Sequence, residues 1–187
     1  MNLELLDEVK EKSQKTMAAT ERLLAMISPE PAAVIADEGL AQNFLDCLTN
    51  PKFIPTLGTI NSLVASGDLR LIRDPDIQRM LTQWPTTVQV LIEWQEIERN
   101  HGEELILGLT LDYIAWPTLL SLVDDSNRTS ALKIDYQSLF SSKRLEGLLD
   151  NRRFNTRVSI GRIKELEADT QELVDRLETR FSAPETI

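Results

Sequence analysis

The chain has 187 residues, 42% apolar and 27% charged, enough for one domain with a substantial core and too apolar along its length for disorder to be the default reading. Its formal charge of −10 and pI near 4.7 exclude sequence-independent nucleic-acid binding, which needs Lys and Arg to displace phosphate counterions. Scarce glycine and aromatic residues, with Leu, Glu, Asp, Arg, Ile and Ala dominant, favour helix.

Asn2 to Ile27 reads as one helix without Gly or Pro. Leu3, Leu6, Met17, Leu24 and Ile27 recur on roughly one face, but Lys10 and Ser13 interrupt the stripe, as in a stalk or a helix packed at one end. The prolines of SPEPAA stop it. A second helix is expected over Asp37 to Leu48, with Leu40, Phe44 and Cys47 or Leu48 inward. Cys47, the single cysteine, precludes an internal disulfide and reads as a buried small hydrophobe. TNPKFIP breaks this helix, and a third runs from Thr56 to Ser66 with Leu57, Ile60 and Val64 inward, closing at Gly67 as a left-handed C-cap.

The next stretch, SGDLRLIRDPDI (Ser66 to Ile77), is the most distinctive of the chain. DLRLI reads as a short extended or turn segment that buries Leu69, Leu71 and Ile72 in some combination. Asp74 is then an N-cap with Pro75 at the first helical position, and Asp76 suits the positive end of the helix dipole. Helix initiation accounts for these acids and leaves Arg70 and Arg73, which either form solvated ion pairs or contact a ligand or partner.

From Pro75 a helical pattern continues through Ile77, Met80, Leu81, Trp84, Val88, Leu91 and Ile92. Two WPT triplets place Pro85 and Pro117 where each should kink a helix or start one. Gly102 is the expected reversal, giving an antiparallel pair, Pro85 to Asn100 and Glu103 to about Val123. The second member is the most apolar run and the expected central helix. DDSNRTSALK reads as a polar loop, and its NRT triplet carries little weight without a secretory leader. A short helix, Ser142 to Leu149, should precede a long one from Asn151 to about Phe181. Its stripe of Phe154, Val158, Ile163, Leu166, Leu173, Leu177 and Phe181 is near-heptad and suits pairing with the first helix. Residues 182–187 read as a flexible tail.

Chemistry-bearing patterns are few. His101, the only histidine, sits beside a glycine and reads as solvated or capping. Glu98 and His101 make one E-x-x-H, where a helical di-iron site needs two. Zinc needs three or four N or S ligands, and no Gly-rich phosphate loop is present. No catalytic, cofactor or metal residue is therefore assigned, although carboxylate-only chemistry stays open as a third reading. Between Lys143 and Lys164 lie seven basic residues (Lys143, Arg144, Arg152, Arg153, Arg157, Arg162, Lys164) against Glu146 and Asp150. Arg152, Arg153 and Arg157 thus join Arg70 and Arg73 as candidate contacts, facing an acidic part of the same domain, a second copy, an acidic partner or an anionic membrane.

The stretch PTLGTINSLVASGDLRLIRDPDIQRMLTQW, and within it Ser66 to Leu81 above all, resembles a family of bacterial proteins with no established activity. Members show a threonine-started helix, an SG-lRLIrdp-L turn and a helix ending near aromatic residues. The resemblance implies a helical domain closed by a long C-terminal helix and carried behind an N-terminal transmembrane helix. No run of about 18 apolar residues occurs in this chain, so either a tether precedes it, with the chain as the extramembrane, periplasmic part, or this member is soluble. The resemblance implies no active site. The expectation is a single all-α domain, an irregular helical bundle with long N- and C-terminal helices paired antiparallel around a central helical hairpin. It would act as a non-catalytic interaction or scaffold domain with a protein partner or a second copy. The alternative is a sensory domain binding a small anion near Arg70 and Arg73.

Overall fold

The computed structural model describes residues 2–31, 38–121, 130–131 and 135–182. The protein is all-α. Three long helices form its frame: α1 (Asn2–Ala25), α4 (Pro75–Asn100) and α8 (Lys143–Ser182). Between them lie α2 (Glu38–Leu48), α3 (Gly58–Ser66), α5 (Gly108–Leu111), α6 (Trp116–Leu120) and α7 (Tyr136–Phe140). The NRT triplet and residues 183–187 lie outside the described residues.

The 40-residue α8 is the spine. Leu6 and Val9 of α1 share a core cluster with Ile163 and Leu166, while Ala19 and Leu23 meet Leu145 and Leu149. Low numbers thus face high ones, and the terminal helices are antiparallel. Lys10 Nζ bonds Glu167 at 2.8 Å across this seam. On the other side, Trp84 Nε1–H donates to Thr170 Oγ1 at 2.8 Å and Trp94 Nε1–H to the Asn155 carbonyl at 3.2 Å, so α4 is antiparallel to α8 as well.

Each long helix buries one unbroken seam with alternating spacings of three and four. The seam runs through Leu6, Val9, Ser13, Thr16, Thr20 and Leu23 in α1, and through Ile77, Leu81, Trp84, Val88, Leu91, Gln95 and Glu98 in α4. In α8 it continues from Leu149 through Arg152, Thr156, Ser159, Ile163, Leu166 and Thr170 to Leu173. This is knob-into-hole spacing, but its middle is polar. Ser13 therefore does not interrupt the first helix: it continues the buried face, where a small polar residue meets the polar middle of α8. The apolar clusters lie on either side. One joins α1, α2, α5, α7 and the start of α8, and the other joins α1, Phe53, α4 and α8.

Several expected boundaries differ. α8 starts at Lys143 and runs through Asn151 without a break, because Leu145, Leu149 and Arg152 already lie on the seam that continues beyond. Phe154, expected inward, is 58% exposed, since it stands two positions from the seam residues Arg152 and Thr156. α4 continues through Pro85; one backbone hydrogen bond is forfeited there, and burial of Trp84 and Val88 on either side holds the helix together. The chain does not reverse at Gly102. His101–Leu107 form a π-helical segment leading directly into α5, and the first turn comes at residues 112–115. α3 has no buried residue, and Val64, expected inward, is 51% exposed.

Candidate functional site

The corner after α3 is built as a stop and a restart. Gly67 adopts φ +75°, a left-handed conformation in which a Cβ would be strained, and its N–H donates to the Val64 carbonyl at 3.2 Å. Asp68–Leu71 form a 3-10 turn. Asp74 Oδ1 then accepts the N–H groups of Asp76 and Ile77 at 2.9 and 3.2 Å, with Pro75 opening α4. The Gln78 side-chain amide donates to the Leu69 and Ile72 carbonyls at 3.0 and 2.6 Å, locking the turn onto the first coil of α4. Leu69 and Ile72 turn partly inward to Ile77, Leu81 and Leu173. Leu71 does not: it is 70% exposed, between the exposed Arg70 and Arg73.

Beside this corner the bundle is hollow. A cavity of about 530 Å³ lies between the start of α1, α3, α4 and the last third of α8. Its walls include Leu3, Ile60, Leu63, Trp84, Val174 and Leu177. An adjoining open cavity of about 570 Å³ shares Leu63 and Ile72 with it and brings Arg73 together with Arg180, Asp68 and Asp74. Arg70 does not line it. Nothing in the spacing of the sequence connects Arg180 to the corner; the antiparallel packing of α8 on α4 places it there.

The other predicted contacts are elsewhere. From Arg157 to Arg180 α8 advances roughly 35 Å, so the basic stretch and the charged corner occupy different parts of the bundle. Arg153 pairs with Asp150 at 2.8 Å, and Arg157 is exposed. The Arg162 guanidinium lies over the Trp94 ring at 5.3 Å.

Arg152 is not on the surface at all. Its exposure is 0%, which removes it from any contact set. Its Nε–H donates to the Cys47 carbonyl at 3.1 Å and Nη1 to the Glu98 carbonyl at 2.7 Å. Nη2 donates to the Thr49 carbonyl at 2.7 Å and to Asn50 Oδ1 at 2.9 Å. The Glu98 carboxylate stands 4.0 Å away. Burial lowers the guanidinium pKa from its ordinary value, opposed by the Glu98 charge; arginine nonetheless stays protonated. The guanidinium is thus a clamp on backbone carbonyls at the close of α2 and where α4 widens into the π segment.

His101 is buried as well, not solvated, and its Nε2 lies 2.9 Å from the Leu148 carbonyl. A carbonyl only accepts, so Nε2 carries the proton. Cys47 is fully buried beside Thr20, whose Oγ1 lies 3.4 Å from Sγ, and burial pushes the thiol pKa up. Arg152 thus holds the Cys47 and Glu98 carbonyls beside the Glu98 carboxylate, His101 faces the Leu148 carbonyl, and the Cys47 thiol faces Thr20. Among the described residues no group of three or more His, Cys, Asp or Glu side chains is placed to hold a metal ion, and no helix is long and apolar enough to cross a membrane.

Comparison with protein-family models, curated proteins and solved structures finds no match to this chain.

Proposed function

We propose that the chain is a non-catalytic helical interaction domain whose recognition end is the charged corner between α3 and α4. One observation carries the reading: Leu71 is 70% exposed on a turn held by Gly67, Asp74 and Gln78, with Arg70 and Arg73 exposed around it. A large apolar side chain held outward on a rigid turn has no folding role, and an apolar anchor flanked by arginines is the usual make-up of a protein contact. The partner is an acidic protein surface or a second copy of this acidic chain. Supporting this, the buried Arg152 and His101 are occupied with backbone carbonyls.

A photoreactive amino acid at Leu71 tests the proposal in cells, with one at Lys164 as control. Discrete adducts at Leu71 and none at Lys164 are expected; equal labelling, or no adduct at Leu71, refutes it. Sedimentation of the purified chain separates self-association from a foreign partner.

A second reading, a sensory domain for a small anion, is favoured by one observation. Arg73 lines a concave site, although its companion there is Arg180 and not Arg70.

A further inference from the structure

We infer that the cavity at the α3 end of the bundle binds a fatty-acid anion, with the acyl chain between α3, α4 and α8 and the carboxylate at Arg73 and Arg180. The inference extends the second reading and needs no protein partner.

The chemistry of the walls selects a hydrocarbon. Apart from Thr59, the polar side chains of the 530 Å³ cavity are already committed. Thr170 Oγ1 accepts the Trp84 indole N–H at 2.8 Å and donates to the Leu166 carbonyl at 2.6 Å. The Asn2 amide bonds both backbone groups of Thr56, at 3.0 and 3.4 Å. What remains is aliphatic surface and the Trp84 ring. The volume lies within the roughly 300–1,000 Å³ usual for small-ligand sites. Walls from α1, α3, α4 and α8, partly open to solvent, leave room for one acyl chain.

The mouth selects an anion of single charge. Leu63 and Ile72 are shared with the cavity that holds Arg73 and Arg180, so a chain lying against them brings its head into the space those two arginines line. Two carboxylates share that space. Asp74 is spent on the amides of Asp76 and Ile77 at the positive end of α4, and Asp68 takes the Ser66 hydroxyl at 2.7 Å. The two arginines and two aspartates sum to no net charge, so a carboxylate is held by direct contact with a guanidinium and a dianionic phosphate head is disfavoured. The space is partly open already, and α3 is the wall best able to widen it. It has no buried residue, so it opens at less cost than any long helix of the frame.

Titration with 11-(dansylamino)undecanoic acid, below its micelle concentration, reads the site directly. Saturable enhancement of dansyl fluorescence is expected, with displacement by dodecanoate. Val174→Trp fills the cavity and should weaken binding about tenfold or more, a change of at least one decade in Kd. Leu63→Trp does the same from the α3 wall, where no core packing is at stake, and serves if Val174→Trp does not fold. The pair Arg73→Glu and Arg180→Glu should weaken dodecanoate about tenfold and leave dodecanol within about twofold. The absence of saturable binding, folded tryptophan variants that bind like the parent, or dodecanol competing as well as dodecanoate in the parent chain each overturns the inference. So does binding seen only by co-sedimentation with phosphatidylglycerol vesicles, which would make this a membrane surface. Failure here with Leu71 adducts intact leaves the interaction reading standing; the reverse pattern leaves the acid site standing alone.

Discussion

Replacing Arg152 by methionine is the sharpest test of how the polar middle of the bundle is held. Methionine fills much the same space, so the loss is chiefly one of hydrogen bonds. Four acceptors lose one donor each, and two of these bonds, to the Cys47 and Glu98 carbonyls, are buried. The other two, to Thr49 and Asn50, are only partly buried, so water replaces the guanidinium there. Orphaning a buried acceptor costs about 1–3 kcal/mol, reduced at Glu98 because its carbonyl also takes the His101 N–H. Leaving the Glu98 carboxylate without its cation adds to this, and breaking a buried pair typically costs about 3–5 kcal/mol. Arg152→Met should therefore destabilise by about 3–5 kcal/mol, a large share of the roughly 5–15 kcal/mol that holds a domain together. Arg152→Lys keeps the charge but not the planar fork and should fall between parent and methionine. Urea unfolding followed at 222 nm measures both. A methionine variant within about 1 kcal/mol of the parent refutes the clamp. Adding Glu98→Gln should restore only the smaller part of the loss that comes from the unpaired carboxylate, which is 4.0 Å away while the carbonyls are at bonding distance. Recovery of most of the loss would make the ion pair, not the carbonyls, the source of stability.

Three further outcomes follow from other parts of the fold. Burial raises the Cys47 thiol pKa, so the folded state holds that proton more tightly than the unfolded chain, whose thiol titrates near about 8.5. The stability it contributes is complete below that pH and is lost as pH rises above it; thermal unfolding between about pH 7.5 and 9.5 should show this loss, and Cys47→Ala should flatten it. Pro85→Ala returns a backbone donor inside a helix that is already continuous, and chemical denaturation should show a gain of about 1–2 kcal/mol, below the roughly 3 kcal/mol propensity difference because proline also restricts the unfolded chain. A loss of stability on that change would mean that the local geometry of α4 is fitted to proline. Gly67→Ala puts a Cβ where nothing lies within 4 Å but φ is +75°, so a purely conformational cost of about 1–2 kcal/mol is expected; Gly67→Asn should cost less, and equal costs for the two would count against a left-handed cap.

The helical class and the corner at Gly67 were legible in the residues because both depend on local rules. Scarce glycine, long-period apolar spacing, a left-handed cap and an Asp-Pro start act over a few neighbouring residues, so they read the same in sequence and structure. The alternation of three and four in α1, α4 and α8 was also written there. It became visible only when Ser13, Thr16, Gln95, Arg152, Thr156 and Ser159 were counted as interior, which a search for apolar residues alone does not do.

Tertiary packing decided the rest. Whether Arg152 lies in water or in the core depends on carbonyls of α2 and α4, which are 54 to 105 residues away in the chain. Pro85 and Gly102 carry a local preference for a break, and the buried residues around them on the frame helices outweigh it. The meeting of Arg73 with Arg180, and the hollow beside them, exist because α8 runs antiparallel to α4 and ends beside its start. A local pattern can state which face a helix buries, but the choice of what it is buried against belongs to the assembled bundle.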